Sequence, residues 1–177
     1  MKTSVILIVL FFFTSFTSTQ ACEHLKSVNQ PKPVPEVIVQ DVSPDEETDQ
    51  NKEQDLNDGY TQNNNLIYFG NLSSASFVED IKALNKLAAD GKNQLKYVVV
   101  VMDTKDRAII KKFITDNEIK IRMVIPARQG WEKNWTGVVN RSVFVTHQRN
   151  IVASGVDVVG NENLIQETAS KLIPGSS

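Results

Sequence analysis

The nine residues Leu95–Asp103, LKYVVVVMD, constrain the fold more than any other part of the chain. A run this apolar, this short and this rich in β-branched residues reads as a strand covered on both faces, the position of a central strand in a parallel sheet. Such a strand needs neighbours and helical crossovers, and the flanking segments supply them. Before it, LIYFG (66–70) is a compact buried strand, and the following helix sets Phe77, Ile81, Leu84 and Ala88 on one face. After it, DRAIIKKFITDN offers Ile109, Ile110, Phe113 and Ile114 to the core, with Lys111 and Lys112 outward. EIKIRMVIP then alternates Ile119, Ile121, Met123 and Ile125 with mostly polar residues, the pattern of a half-buried strand ended by Pro126.

The last third continues the pattern. ARQGWEKNWTGV reads as a loop or short helix, and RSVFVTHQRNIVASGV as two strands around a tight turn at His147–Asn150, where Asn tolerates left-handed backbone. NENLIQETASKLI closes the chain as a helix with Leu164, Ile165, Ala169 and Leu172 inward. Strand, helix, strand, helix, strand, loop, hairpin, helix is an α/β order, and the hairpin makes the sheet mixed.

The first 21 residues have another character. Met1 and Lys2 lead into the apolar run Val5–Phe13, then Thr and Ser residues, then TQAC. A positive end, an apolar stretch too short to span a bilayer and small residues before a cut site mark a secretory signal over residues 1–21. The chain has one cysteine, Cys22, directly after Ala21. Its place resembles the lipid-attachment cysteine of bacterial lipoproteins, although Thr19 stands where leucine is usual. The other reading is ordinary cleavage that leaves an unpaired thiol near a secreted N-terminus. Either way the mature chain forms no internal disulfide, so its core must hold it together.

Residues 23–65 carry three Lys against ten Asp and Glu, whereas 66–177 carry fifteen Lys and Arg against eleven Asp and Glu. The near-neutral total therefore hides an acidic half and a mildly basic one. With few large apolar residues before Leu66, residues 22–65 read as an acidic disordered tether, roughly 35–40 Å long as a coil. Within it only EVIVQDV (36–42) is apolar enough to become a strand on a sheet edge, and plain linker is the expectation.

Two stretches carry a family resemblance: FGNLSSASFVEDIKALNKL and VFVTHQRNIVASGVD. They resemble the thioredoxin-like fold, and within it the TlpA and ResA type of envelope thiol-disulfide proteins. The first is similar to their strand end, paired cysteines and following helix; the second to their strand, charged turn and strand. The resemblance implies a three-layer sandwich with a mixed central sheet over residues 66–177. An ungapped placement sets Ser74 and Phe77 at the two cysteine positions and Arg141 at the family's cis-proline. All three family residues are replaced, and a serine hydroxyl does not substitute for the attacking thiolate.

Ser76 and Glu79 have the spacing of a capping box, which accounts for this serine without catalysis. A serine nucleophile needs a base, and the domain's one histidine, His147, sits at a turn expected on the far side of the sheet. Trp131 and Trp135, four apart, would share a helix face; exposed together with Phe77 they would form an apolar binding patch. Asn71, Asn134 and Asn140 each begin an Asn-x-Ser/Thr triplet, a glycosylation acceptor only in a eukaryotic secretory route. His24, His147 and the scattered carboxylates show no metal-ligand spacing, and no cofactor is expected. An exported domain of modest positive charge is also a poor nucleic-acid binder.

The expectation is a non-enzymatic envelope lipoprotein, anchored through Cys22 and facing the periplasm. Its domain binds a protein partner through Ser74, Phe77, Trp131, Trp135 and Arg141, as an accessory of a secretion or assembly machine. The alternatives are a secreted or periplasmic redox or chaperone protein using free Cys22, and a small-ligand carrier with a cleft between the Trp loop and the first helix.

Overall fold

The computed structural model describes residues 25–42, 52–58, 64–90, 95–131, 143–155 and 157–172. In chain order the elements are β1 (Lys26–Pro33), β2 (Ile38–Asp41), β3 (Gln54–Asp55), β4 (Asn64–Gly70), α1 (Phe77–Ala89), β5 (Leu95–Met102), α2 (Arg107–Asp116), β6 (Arg122–Pro126), β7 (Val143–His147), β8 (Asn150–Gly155) and α3 (Glu162–Lys171). The strands form one mixed sheet in the order β1-β8-β7-β4-β5-β6-β2-β3.

As expected, β5 is central and pairs in parallel with both β4 and β6. Its alternation splits the core in two: Val98, Val100 and Met102 face one apolar cluster, Val99 and Val101 the other. The parallel strands advance across the sheet in one direction, so right-handed crossovers place α1 and α2 on the same face. Ile81 and Leu84 of α1, Ile110 and Ile114 of α2, and Ile165 and Ala169 of α3 all join the first cluster. Because β7 runs antiparallel to β4 and β8 antiparallel to β7, the strands β4, β5, β6 and β8 all finish at one end. All three helices begin there.

No described helix contributes to the second cluster. Ile67, Val99, Val101, Val124, Phe144 and Ile151 are instead covered by Val34, Val37, Val39 and Leu56. This overturns the tether over residues 25–42 and 52–58. EVIVQDV supplies β2, which pairs antiparallel on β6, and β3 extends that edge; Val37, Val39, Val42 and Leu56 are at most 1% exposed. The segment is polar on average, but its few apolar residues sit on the face that no described helix covers, each stabilising by roughly 1.5–3 kcal/mol on full burial. The same cover explains why β6 is not half-buried: Met123 and Ile125 face the helices while Val124 faces the second cluster with Val37 and Leu56. The chain is thus part of the domain from Leu25, whose N–H donates to Asn161 Oδ1 at 3.3 Å.

Smaller expectations are also corrected. Leu87 replaces Ala88 on the buried stripe of α1. Ile109 is 51% exposed because it lies one position round α2 from the buried stripe of Ile110 and Ile114. At the β7–β8 turn the left-handed residues are Gln148 (φ 47°) and Arg149 (φ 61°), not Asn150, which pairs with His147. On the outer edge β1 is largely exposed and carries Pro31, Lys32 and Pro33, which blunt it against further pairing.

Candidate functional site

The turn from β4 into α1 is the place where the resemblance puts chemistry. Asn71 Oδ1 accepts from Ser73 N at 2.7 Å, Ser74 N donates to Asn71 O and Phe77 N to Ser74 O, so residues 71–77 wind into tight turns. Ser74 is exposed, and its Oγ lies 3.2 Å from Ser76 Oγ. Ser76 is the N-cap residue of α1, but its side chain caps nothing, so the capping box does not form. No base reaches these hydroxyls among the described residues. His147 pairs across from Asn64 at the start of β4, six residues and about 20 Å from Gly70. There its Nδ1 donates to Asn64 Oδ1 at 2.7 Å, while Asn64 Nδ2 donates to Ala169 O. The expected distance between serines and histidine is therefore present.

Phe77 is fully buried, which removes it from the expected binding surface. Gly70 is the reason it fits: a Cβ there would lie 2.6 Å from Phe77 Cε2. The ring packs between Tyr68 and Phe113, at centroid distances of 6.4 and 5.2 Å. Trp131 is half-buried on the opposite face of the sheet, stacked on Phe69 at 5.1 Å. Phe77 and Trp131 therefore form no common patch, and the rest of the Trp loop lies outside the described residues. Cys22, His24, Trp135, Arg141, Asn134 and Asn140, and the signal segment, lie outside the described residues. Asn71, the remaining triplet asparagine, is exposed.

Two features escaped the sequence reading. Asp80, 1% exposed, accepts from Tyr68 Oη at 3.0 Å and from the N–H groups of Val158 and Val159 at 2.9 and 3.0 Å. Burial, then the Asp80 carboxylate, push the Tyr68 phenol above the ordinary tyrosine range, so it stays protonated. The signal was a carboxylate at helical spacing between Phe77 and Leu84 on an otherwise apolar stripe. Second, a groove of about 680 Å³ runs between α1 and α3. Lys82 and Lys86 line it in register, above Ala83 and Leu87, with Glu162 opposite. Neither lysine enters an ion pair among the described residues.

No protein-family model and no curated protein matches the sequence. Solved structures do match. A secreted thiol-disulfide isomerase from Corynebacterium glutamicum superposes with a TM-score of 0.65 at 15% identity, covering 89% of this chain and 95% of its own. A thiol:disulfide interchange protein from Bacteroides sp. gives 0.65 and 15%, covering 86% and 95%. A DsbF homologue from Corynebacterium diphtheriae gives 0.59 and 17%, covering 87% and 96%. The first of these shares exceeds what residues 66–177 alone would supply, so the likeness takes in part of the segment before them. The fold of this chain is thioredoxin-like, α/β with a mixed sheet.

Proposed function

We propose that the chain is a non-enzymatic, protein-binding module on a thioredoxin-like scaffold, exported and held at the cell envelope by a lipid on Cys22. One observation carries the reading. Where the resembled proteins hold two cysteines, this chain has Ser74, exposed and hydrogen-bonded to Ser76, and Phe77, sealed in the core. Disulfide exchange needs a thiolate to attack and a second sulfur to resolve, and neither position offers one. The groove between α1 and α3, with two lysines that no described carboxylate pairs over Ala83 and Leu87, is the surface on which an envelope protein would dock, as an accessory of a secretion or assembly machine.

Insulin reduction by the full chain, before and after alkylation, tests this reading together with intact mass of the protein from its native membrane. The expected results are no turnover above the uncatalysed rate and an acylated Cys22. A second reading is supported by the thiol-disulfide names of the solved neighbours: a secreted or periplasmic redox or chaperone protein acting through unmodified Cys22. Alkylation-sensitive reduction would establish it and overturn the first.

A further inference from the structure

The expectation of a long tether placed the domain far from its anchor. Leu25 removes that distance. Its backbone is fixed to Asn161 and its side chain belongs to the helix-side core, so three residue steps separate Cys22 from the packed domain, at most about 10 Å of extended chain. Leu25 lies at a defined end of the molecule: Lys26 pairs with Ser154 near the finish of β8, where β4 and β5 also finish and all three helices begin. The opposite end, with the Gln148–Arg149 turn, is about 20 Å away along β4.

The large exposed aliphatic side chains gather at the same end. Val78 (39% exposed) is in the first turn of α1, Ile109 (51%) in the first turn of α2, and Val159 (43%) in the loop that leads into α3. They are the exposed large hydrophobic residues of the described surface, and Val159 also stands at the edge of the α1–α3 groove. Trp131, half-buried, also follows the finish of β6 at this end; indole rings favour a membrane–water boundary.

We propose that this end of the domain rests on the lipid bilayer, with Val78, Ile109 and Val159 at the headgroup boundary and the α1–α3 groove opening sideways for a partner. The occupant is a lipid surface because the chain's exit and the exposed aliphatics coincide at one end, and a short link lets one anchor hold three weakly apolar contacts in place. The inference rests on the reading of Cys22 as the lipid-bearing residue.

The test uses the full acylated chain reconstituted into phosphatidylcholine–phosphatidylglycerol vesicles. Once Cys22 is acylated, single substitutions Val78→Cys, Val159→Cys or Gln148→Cys each provide a unique thiol for a fluorophore. Headgroup nitroxide lipids should quench labels at 78 and 159 several-fold more than the label at 148. Replacing Ile109 and Val159 by Asp in the Val78→Cys chain should reduce quenching at 78 without releasing the protein from vesicles. Equal quenching at the two ends on vesicle-bound protein would overturn the orientation and leave the anchor standing. Shielding of 78 and 159 from aqueous quencher, without lipid quenching, would assign the patch to a protein and likewise overturn it. An unmodified Cys22 on protein that fails to sediment with vesicles would remove the anchor itself.

Discussion

The phenol of Tyr68 and the carboxylate of Asp80 meet at 3.0 Å in a space closed to solvent, joining β4 to α1. The other carboxylate oxygen receives two backbone N–H groups from the loop before α3, so one side chain ties three elements together. Asp80→Ala strands two buried donors, Tyr68 Oη and Val158 N, and a partly exposed one, Val159 N, and should cost about 3 kcal/mol in urea denaturation, with the m-value unchanged. Tyr68→Phe leaves the carboxylate its two backbone donors and should cost about 1 kcal/mol. Equal losses would mean that the loop contacts contribute nothing.

The same pair predicts an alkaline limit. Folding raises the Tyr68 pKa above its ordinary value, first through burial and then through Asp80. Below about pH 10 the phenol is protonated in both states and its contribution is complete. As pH rises further the unfolded chain ionises while the folded chain does not, so stability falls by up to about 1.4 kcal/mol per pH unit from this group. Denaturation series from pH 9 to 11 (about one unit either side of that value) should show this slope in the wild type and lose one proton's worth in Tyr68→Phe. Identical slopes would place the phenol in water.

Gly70 is required by a neighbour. A methyl group there would meet the Phe77 ring at 2.6 Å and Met102 Sδ at 3.2 Å. Gly70→Ala should therefore cost about 1–3 kcal/mol through overpacking. Phe77→Leu in the same chain removes the ring edge and should restore part of that loss, giving a coupling that a double-mutant cycle reads directly. Additive losses would show that the two residues do not share this space.

Much of the fold was legible because its signals are local. The unbroken valines of β5 carried the parallel sheet, and the 3.6-residue spacing of Phe77, Ile81 and Leu84 carried α1. The N-terminal segment was not legible, because its composition averages six buried apolar residues with many acids and prolines, and nothing local says that no described helix reaches the sheet's second face. The candidate site was half legible: the missing thiols are plain in the sequence. The separation of Phe77 from Trp131 depends on which face each strand end presents, and the role of Asp80 on a loop some eighty residues away.

Asp41 holds that N-terminal segment in place. Arg122 grips both of its carboxylate oxygens at 2.7 Å, Gln54 Nε2 donates to it at 3.0 Å, and Arg107 donates to its backbone carbonyl and to Gln40. The Asp41 and Arg122 side chains are 19% and 30% exposed, so this pair is shielded from water to a degree that the Lys112–Asp116 pair, 76% and 53% exposed, is not. Asp41→Ala should cost about 2–3 kcal/mol, since a partly buried guanidinium loses two charge-assisted hydrogen bonds and Gln54 loses its acceptor. Asp116→Ala should cost under about 0.5 kcal/mol. Hydrogen exchange distinguishes a local clamp from a global loss. In Asp41→Ala the amides of β2 and β3 should exchange faster relative to wild type than those of β4 and β5, because the central strands keep their own pairing when the edge opens. Uniform acceleration across the sheet would instead make residues 25–42 and 52–58 an inseparable part of the folding unit.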